Sequence, residues 1–366
     1  MGRLRVAVVG GGINGVMIAW VLAKSGYQIE LFEKSALIGA TSAASTKLLH
    51  GGLRYLEHGH IELVREGLRE RAWWLEAAPH LTRRVELVFP LYRDSPRSRL
   101  LIKAGLLLYD ALAGTKRLGR HRWLPPIELV RFAPRLKDER LIGGFVFHDG
   151  QMDDRALGLW AADQARDCGA RIREHTPVEH LSPEGVLTVH GERLLFDCVI
   201  NAAGPWAKRL LDVSGIASRY DLDLVRGSHL LFNDPSDRGY LLQAFHDNRI
   251  CFALPYKNST LVGTTEVRQP LDEPIVCSDY EAGYLLSAYN QYFRESKSPA
   301  DVKGCFSGLR PLIRSHSDPS RASREYAIER QNRLITVFGG KWTTSRALAQ
   351  KVCERVSNLR RRPARS

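Results

Sequence analysis

Leu4-Arg5-Val6-Ala7-Val8-Val9-Gly10-Gly11-Gly12-Ile13-Asn14-Gly15 opens the chain with an apolar run that ends in glycines. Small residues from Ile13 to Ser25 then carry a helical pattern, and Gly26 closes it as glycine often closes a helix. Tyr27-Gln28-Ile29-Glu30-Leu31-Phe32-Glu33 alternates like a strand and ends on an acid. Strand, tight glycine turn, helix, strand and acid together spell a dinucleotide-binding unit. Gly10 permits the sharp turn, Gly12 lets a pyrophosphate approach bare backbone, and Gly15 allows the helix to pack closely on the sheet. The helix start at Ile13 and Asn14 offers unpaired N–H groups and a partial positive charge to phosphates. Glu33 stands where a carboxylate accepts hydrogen bonds from a ribose diol. The pattern leaves NAD and FAD both open.

The next stretch narrows the choice. Gly39-Ala40-Thr41-Ser42-Ala43-Ala44-Ser45-Thr46-Lys47-Leu48-Leu49-His50-Gly51-Gly52-Leu53-Arg54-Tyr55-Leu56 is dense in small residues and hydroxyls. Small residues let backbone run against a flat ligand, and hydroxyls bond phosphate or ring atoms. The stretch resembles the signature of FAD-dependent glycerol-3-phosphate dehydrogenases, within the larger group of D-amino-acid-oxidase-like flavoenzymes. The resemblance continues, in the family's order, through Asn201-Ala202-Ala203-Gly204-Pro205-Trp206, Arg226-Gly227-Ser228-His229, Val262-Gly263-Thr264-Thr265, Ser307-Gly308-Leu309-Arg310-Pro311 and Phe338-Gly339-Gly340-Lys341-Trp342-Thr343-Thr344. It implies FAD as cofactor. Its contacts would come from Gly10, Gly12, Ile13, Asn14, Gly15, Glu33, Thr41, Ser42, Ser45, Lys47, Leu48, Gly204, Gly340, Lys341 and Thr343.

The 366 residues suffice for about two domains with a large core. Lys and Arg outnumber Asp and Glu by 53 to 40, a net charge of +13. That balance favours anionic partners such as phosphates or a membrane surface. No zinc-finger, helix-turn-helix or RNA-binding signature accompanies it, so nucleic acid is not expected. Cys168, Cys198, Cys251, Cys277, Cys305 and Cys353 are scattered without metal-ligand or CxxC spacing. They read as reduced thiols, mostly in the core, and no metal site is expected. No signal peptide is expected, and no stretch approaches the ~20 apolar residues of a spanning helix.

Along the chain, Ile61 to Glu76 is an amphipathic helix, with Trp73 and Trp74 as packing residues. Val85 to Tyr92 is a strand. Residues 97–122 join an apolar block, Leu100 to Tyr109, to basic flanks. Two readings stand: a helix lying in a membrane interface, or a buried helix with a solvated basic flank. Phe145 to Met152 is a strand and turn, and Asp153 or Asp154 caps the helix Arg155 to Cys168. Cys198 to Gly204 is a buried strand running into a second glycine turn. Leu222–Val225, His229–Phe232, Ile250–Leu254 and Thr260–Gly263 fit a separate antiparallel sheet. Leu334 to Gly340 is the last strand of the nucleotide sheet and leads into a helix from Thr344 to Val356.

The expected fold is therefore α/β: a discontinuous Rossmann-type FAD-binding domain (1–80, 145–215 and 331–357) and a mainly antiparallel substrate domain (81–144 and 216–330). A basic tail, 358–366, is expected to be disordered. Members of the resembled family usually continue into a further helical domain. Here the chain stops near the last nucleotide-domain helix.

A phosphate substrate calls for cations that stay charged. Arg54, Arg310, Arg324 and Lys341 come from separate segments, and the resemblance adds Tyr55 and His229 as substrate contacts. It implies hydride transfer from C2 of sn-glycerol 3-phosphate to the flavin, giving dihydroxyacetone phosphate, with electrons passed to quinone. A general base should titrate near the working pH, which favours histidine. His229 is preferred over His50 because it lies on the expected substrate sheet. The resemblance places such an enzyme in the cytoplasm at the inner face of the membrane. A flavin oxidase of an amino acid or 2-hydroxy acid, and a non-catalytic flavin-binding protein, remain the alternatives.

Overall fold

The computed structural model describes residues 3–244, 247–314 and 326–360. A six-stranded sheet forms the nucleotide side. Its order is Tyr326–Gln331, Leu334–Gly339, Cys198–Asn201, Arg5–Val9, Gln28–Phe32 and Arg171–Arg173. All pairings are parallel except the first, which is antiparallel. Central strands covered on both faces must be apolar throughout, and Cys198–Asn201 is buried at every position. The helices Ile13–Lys24, Asp154–Asp167 and Ser345–Arg360 share one core with this sheet, through Val16, Ile18, Leu157, Ala161, Leu348 and Val352. The glycine turn lies where the order reverses about Arg5–Val9, the usual place for a ligand crevice in such sheets.

The second sheet has ten strands. Adjacent pairs run antiparallel except Thr82–Tyr92 beside Gly239–Gln243, which is parallel. One face packs on the helix Asp279–Asn290 through Leu285 and Tyr289, and on Phe293 just beyond its end. The other face points to the nucleotide side.

Three expected boundaries move. Phe145–Met152 belongs to a continuous strand, Leu141–Met152, paired along its length with Thr82–Tyr92. It is therefore part of the ten-stranded sheet. Tyr326–Gln331 instead edges the nucleotide sheet. The last helix runs to Arg360, because Val356 is buried and Leu359 packs on the same core; residues 358–360 are helix, and 361–366 lie outside the described residues. The thiols are less buried than expected: only Cys198 and Cys251 are in the core, and Cys168 and Cys305 are exposed. Among the described residues no helix is long and apolar enough to cross a membrane.

Candidate active site

One cavity of about 800 Å3 lies between the two sheets. At the nucleotide end it is lined by Gly10, Gly12, Ile13, Asn14, Glu33, Thr41, Ser42 and Gly204. Gly10 has φ +107°, and a Cβ there would lie 2.6 Å from the carbonyl oxygen of Ala202. Gly15 does not line the cavity; a Cβ on it would collide with the carbonyl oxygen of Gly10, so it closes the helix onto the turn. Glu33 accepts a 2.6 Å bond from the Gly11 N–H and 2.9 Å bonds from the Ser35 N–H and hydroxyl. Its carboxylate is thus braced at the cavity wall. Ser42 Oγ accepts from the Ile13 N–H at 2.9 Å, tying the hydroxyl-rich stretch to the helix start. Asn14 donates to Gly339 O at 3.1 Å, while its Oδ1 is buried without a partner among the described residues. Bare backbone, a braced carboxylate and this spare acceptor fit a dinucleotide.

The other end holds the expected substrate residues. His50, Arg54, Tyr55, His229, Arg310 and Lys341 all line the same cavity, as do Ser45, Leu48, Gly340 and Thr343. Lys341 Nζ stands 3.7 Å above the ring of Tyr55. Trp74, fully buried, donates from Nε1 to Thr343 O at 3.2 Å and so pins the turn that carries Lys341. Arg310 Nη2 donates to Thr265 O at 2.6 Å, and Nη1 lies 3.5 Å from Glu266 Oε1. Gly227 makes room for that guanidinium: a Cβ there would sit 2.7 Å from Nη2. Arg324 lies outside the described residues.

The floor is a cross-strand row. Residues opposite one another on paired strands share a face, and Phe306, His229, Gly263, Phe252 and Leu241 are successive partners. Gly263 is needed beside His229, whose ring a Cβ there would strike. The imidazole stacks on Phe306 at 4.8 Å, and Nε2 is 3.0 Å from Thr46 Oγ1. Glu281, 1% exposed, accepts from Arg226 Nη2 at 2.7 Å, Ser228 Oγ at 2.8 Å and Thr265 Oγ1 at 2.6 Å. It thereby fixes both the strand beneath His229 and the turn that holds Arg310.

Three expectations change. Lys47 does not line the cavity; its ammonium is buried against Asp154 at 2.7 Å. His229 also differs from an ordinary imidazole: burial, then the charges of Arg310 and Lys47, push its pKa down to about 3. Arg97, expected in a basic flank facing lipid or solvent, lines the cavity and bonds Glu57 and Gln243.

The depressed histidine gives a stability prediction. Between about pH 3 and 6.5 the unfolded imidazole binds a proton that the folded one refuses, so stability falls as pH drops through that window. From pH 6.5 to 5 the single group should account for roughly 2 kcal/mol. Urea unfolding of the FAD-free protein should show a smaller loss over that interval in His229→Gln than in the parent. Equal losses would contradict the burial of a neutral imidazole.

Fold and cavity together define a flavin-dependent oxidoreductase, and the chain belongs to the FAD dependent oxidoreductase family (DAO), which matches residues 5–355. Its cofactor is FAD. Glycerol-3-phosphate dehydrogenase of Pseudomonas aeruginosa is 39% identical over 367 residues, covering 94% of this chain and 70% of the relative. D-erythritol 1-phosphate dehydrogenase of Brucella abortus is 36% identical, covering 96% and 73%. The solved glycerol-3-phosphate dehydrogenase of Bacillus halodurans, complexed with FAD, superposes with a TM-score of 0.78 at 26% identity. The chain spans 64% of that structure's chain, and 97% of this chain is covered.

Proposed function

We propose that the chain oxidises the secondary alcohol of sn-glycerol 3-phosphate to dihydroxyacetone phosphate. The observation that carries this reading is the convergence of Arg54, Arg310 and Lys341 with His50 and His229 in the cavity that the glycine turn enters. Bound FAD supplies the two-electron acceptor for the hydride of the alcohol carbon. The chain's own residues bind and orient. Arg310 offers a planar fork to the phosphate, with Lys341 and Arg54 adding charge. His229 takes the hydroxyl proton; the phosphate dianion offsets the charge of Arg310 and thereby raises the proton affinity of the imidazole. The relatives named above act, by name, on polyol phosphates, so the phosphate is the recognised feature. With a soluble dye as acceptor, glycerol 3-phosphate should be oxidised at least about 100-fold more efficiently than glycerol or glycine, since charge-assisted contacts to phosphate are lost with them. Preference for a phosphate-free substrate would refute the reading. Faster turnover of D-erythritol 1-phosphate would keep the chemistry and change the substrate.

In this reading residues 145–152 join the substrate side and 326–330 the FAD side of the domain division expected from the sequence. Quinone is the acceptor in this reading, reached at the cytoplasmic face of the membrane. Support comes from the helix Arg99–Ala113, which buries Ile102, Leu106 and Tyr109 yet exposes Leu100, Leu101, Leu107 and Leu108. Replacing Leu100 and Leu107 by Gln should reduce sedimentation with anionic vesicles by about tenfold, given the apolar area removed. Unchanged sedimentation would remove this helix from any membrane contact.

A further inference from the structure

Residues 43–47 wrap around a carboxylate that the chemistry above does not use. Asp154, the first residue of the helix Asp154–Asp167, is fully buried. Its oxygens accept from Lys47 Nζ at 2.7 and 2.8 Å, from Ser45 N at 3.0 Å and from Ser45 Oγ at 2.7 Å. Lys47 Nζ also donates to Ala43 O at 2.8 Å, and the Lys47 N–H donates to Ser45 Oγ at 3.0 Å. Lys47 itself takes φ +61°, a left-handed conformation that non-glycine residues adopt only when something holds them. The turn is therefore clamped on both sides of Thr46, whose hydroxyl is the group that meets His229 Nε2 at 3.0 Å. Lys47 Nζ also stands 4.7 Å from the centre of the Phe306 ring on which His229 stacks. One buried pair thus fixes the hydrogen-bond partner of the imidazole and sets a carboxylate against an ammonium whose charge reaches it.

We propose that Asp154, paired with Lys47, is a positioning residue that holds the Thr46 hydroxyl on His229 and thereby supports proton removal from the substrate. The proposal rests on His229 serving that step. Asp154 does not line the cavity and reaches it only through Ser45 and Thr46, so its loss should act on the rate of flavin reduction far more than on either affinity.

Asp154→Asn alone strands a buried ammonium and risks misfolding, whereas replacing a buried pair by apolar residues of similar size is often tolerated. The test is therefore the paired replacement Lys47→Met with Asp154→Leu, made in the parent and in His229→Gln. Anaerobic flavin reduction by saturating glycerol 3-phosphate should slow about 10- to 100-fold in the parent background and less than about twofold in the His229→Gln background, because groups acting through one another are non-additive. Dissociation constants for FAD and substrate should stay within about twofold. In the FAD-free protein, the 15N signal of His229 Nε2 should move on the paired replacement. No slowing in the parent background, or equal slowing in both, overturns the proposal. If His229→Gln alone reduces as fast as the parent, the assignment of His229 falls and the proposal with it, a result read from that variant by itself.

Discussion

Arg310→Ala should weaken glycerol 3-phosphate binding by about 30- to 1000-fold while FAD stays bound, the usual scale for truncating one member of a desolvated charge pair. The guanidinium projects from the strand Val302–Ile313 into the cavity and is oriented by Thr265 O. A dianionic phosphate there gains two parallel charge-assisted bonds that no neutral side chain supplies. The glycine turn is carried by different strands of the other sheet, so cofactor affinity should change little. Truncation also removes a cation beside Glu266, whose side chain is 8% exposed. Arg310→Lys keeps that charge and should recover part of the affinity without the bidentate geometry. Steady-state KM together with flavin fluorescence separates the effects. Loss of flavin with unchanged substrate affinity would overturn the assignment.

His229→Gln should slow flavin reduction by about 100- to 10,000-fold, the range for removing a general base. Gln keeps a polar group near Thr46 and approximates the imidazole in length. Substrate dissociation should therefore stay within about threefold, because the phosphate grip lies with other residues. Burial and the charge of Arg310 lower the proton affinity of His229, and in the proposed reading the phosphate dianion offsets that charge. Stopped-flow reduction across substrate concentrations yields both constants. A normal rate in this variant would transfer the role to His50, which lines the same cavity.

The glycine turn, its helix and Glu33 were readable because each has a local backbone requirement: a positive φ, a missing Cβ, a fixed spacing. The convergence of His229, Arg310 and Lys341 was readable from motif resemblance. What joins the segments was not. Lys47 sits in a run of small residues and looks the same whether its ammonium faces a phosphate or a carboxylate 107 positions away. Arg97 precedes a leucine-rich helix and reads as a surface charge, yet it bonds Gln243, 146 positions on. Glu281 fits a helix start, where acids are common, so its bonds to Ser228 and Thr265 leave no local sign. The break expected at residue 145 falls inside the strand Leu141–Met152, which carries Gly143 and Gly144. In the fold they sit opposite Leu91 and Pro90, where a side chain would strike the neighbouring strands.

The most direct test of the central claim is anaerobic mixing of the purified yellow protein with glycerol 3-phosphate while the flavin absorbance is followed. Rapid, saturable bleaching, absent with glycerol, is the predicted result. A flavin that stays oxidised with glycerol 3-phosphate but bleaches with an amino acid or a 2-hydroxy acid would contradict it.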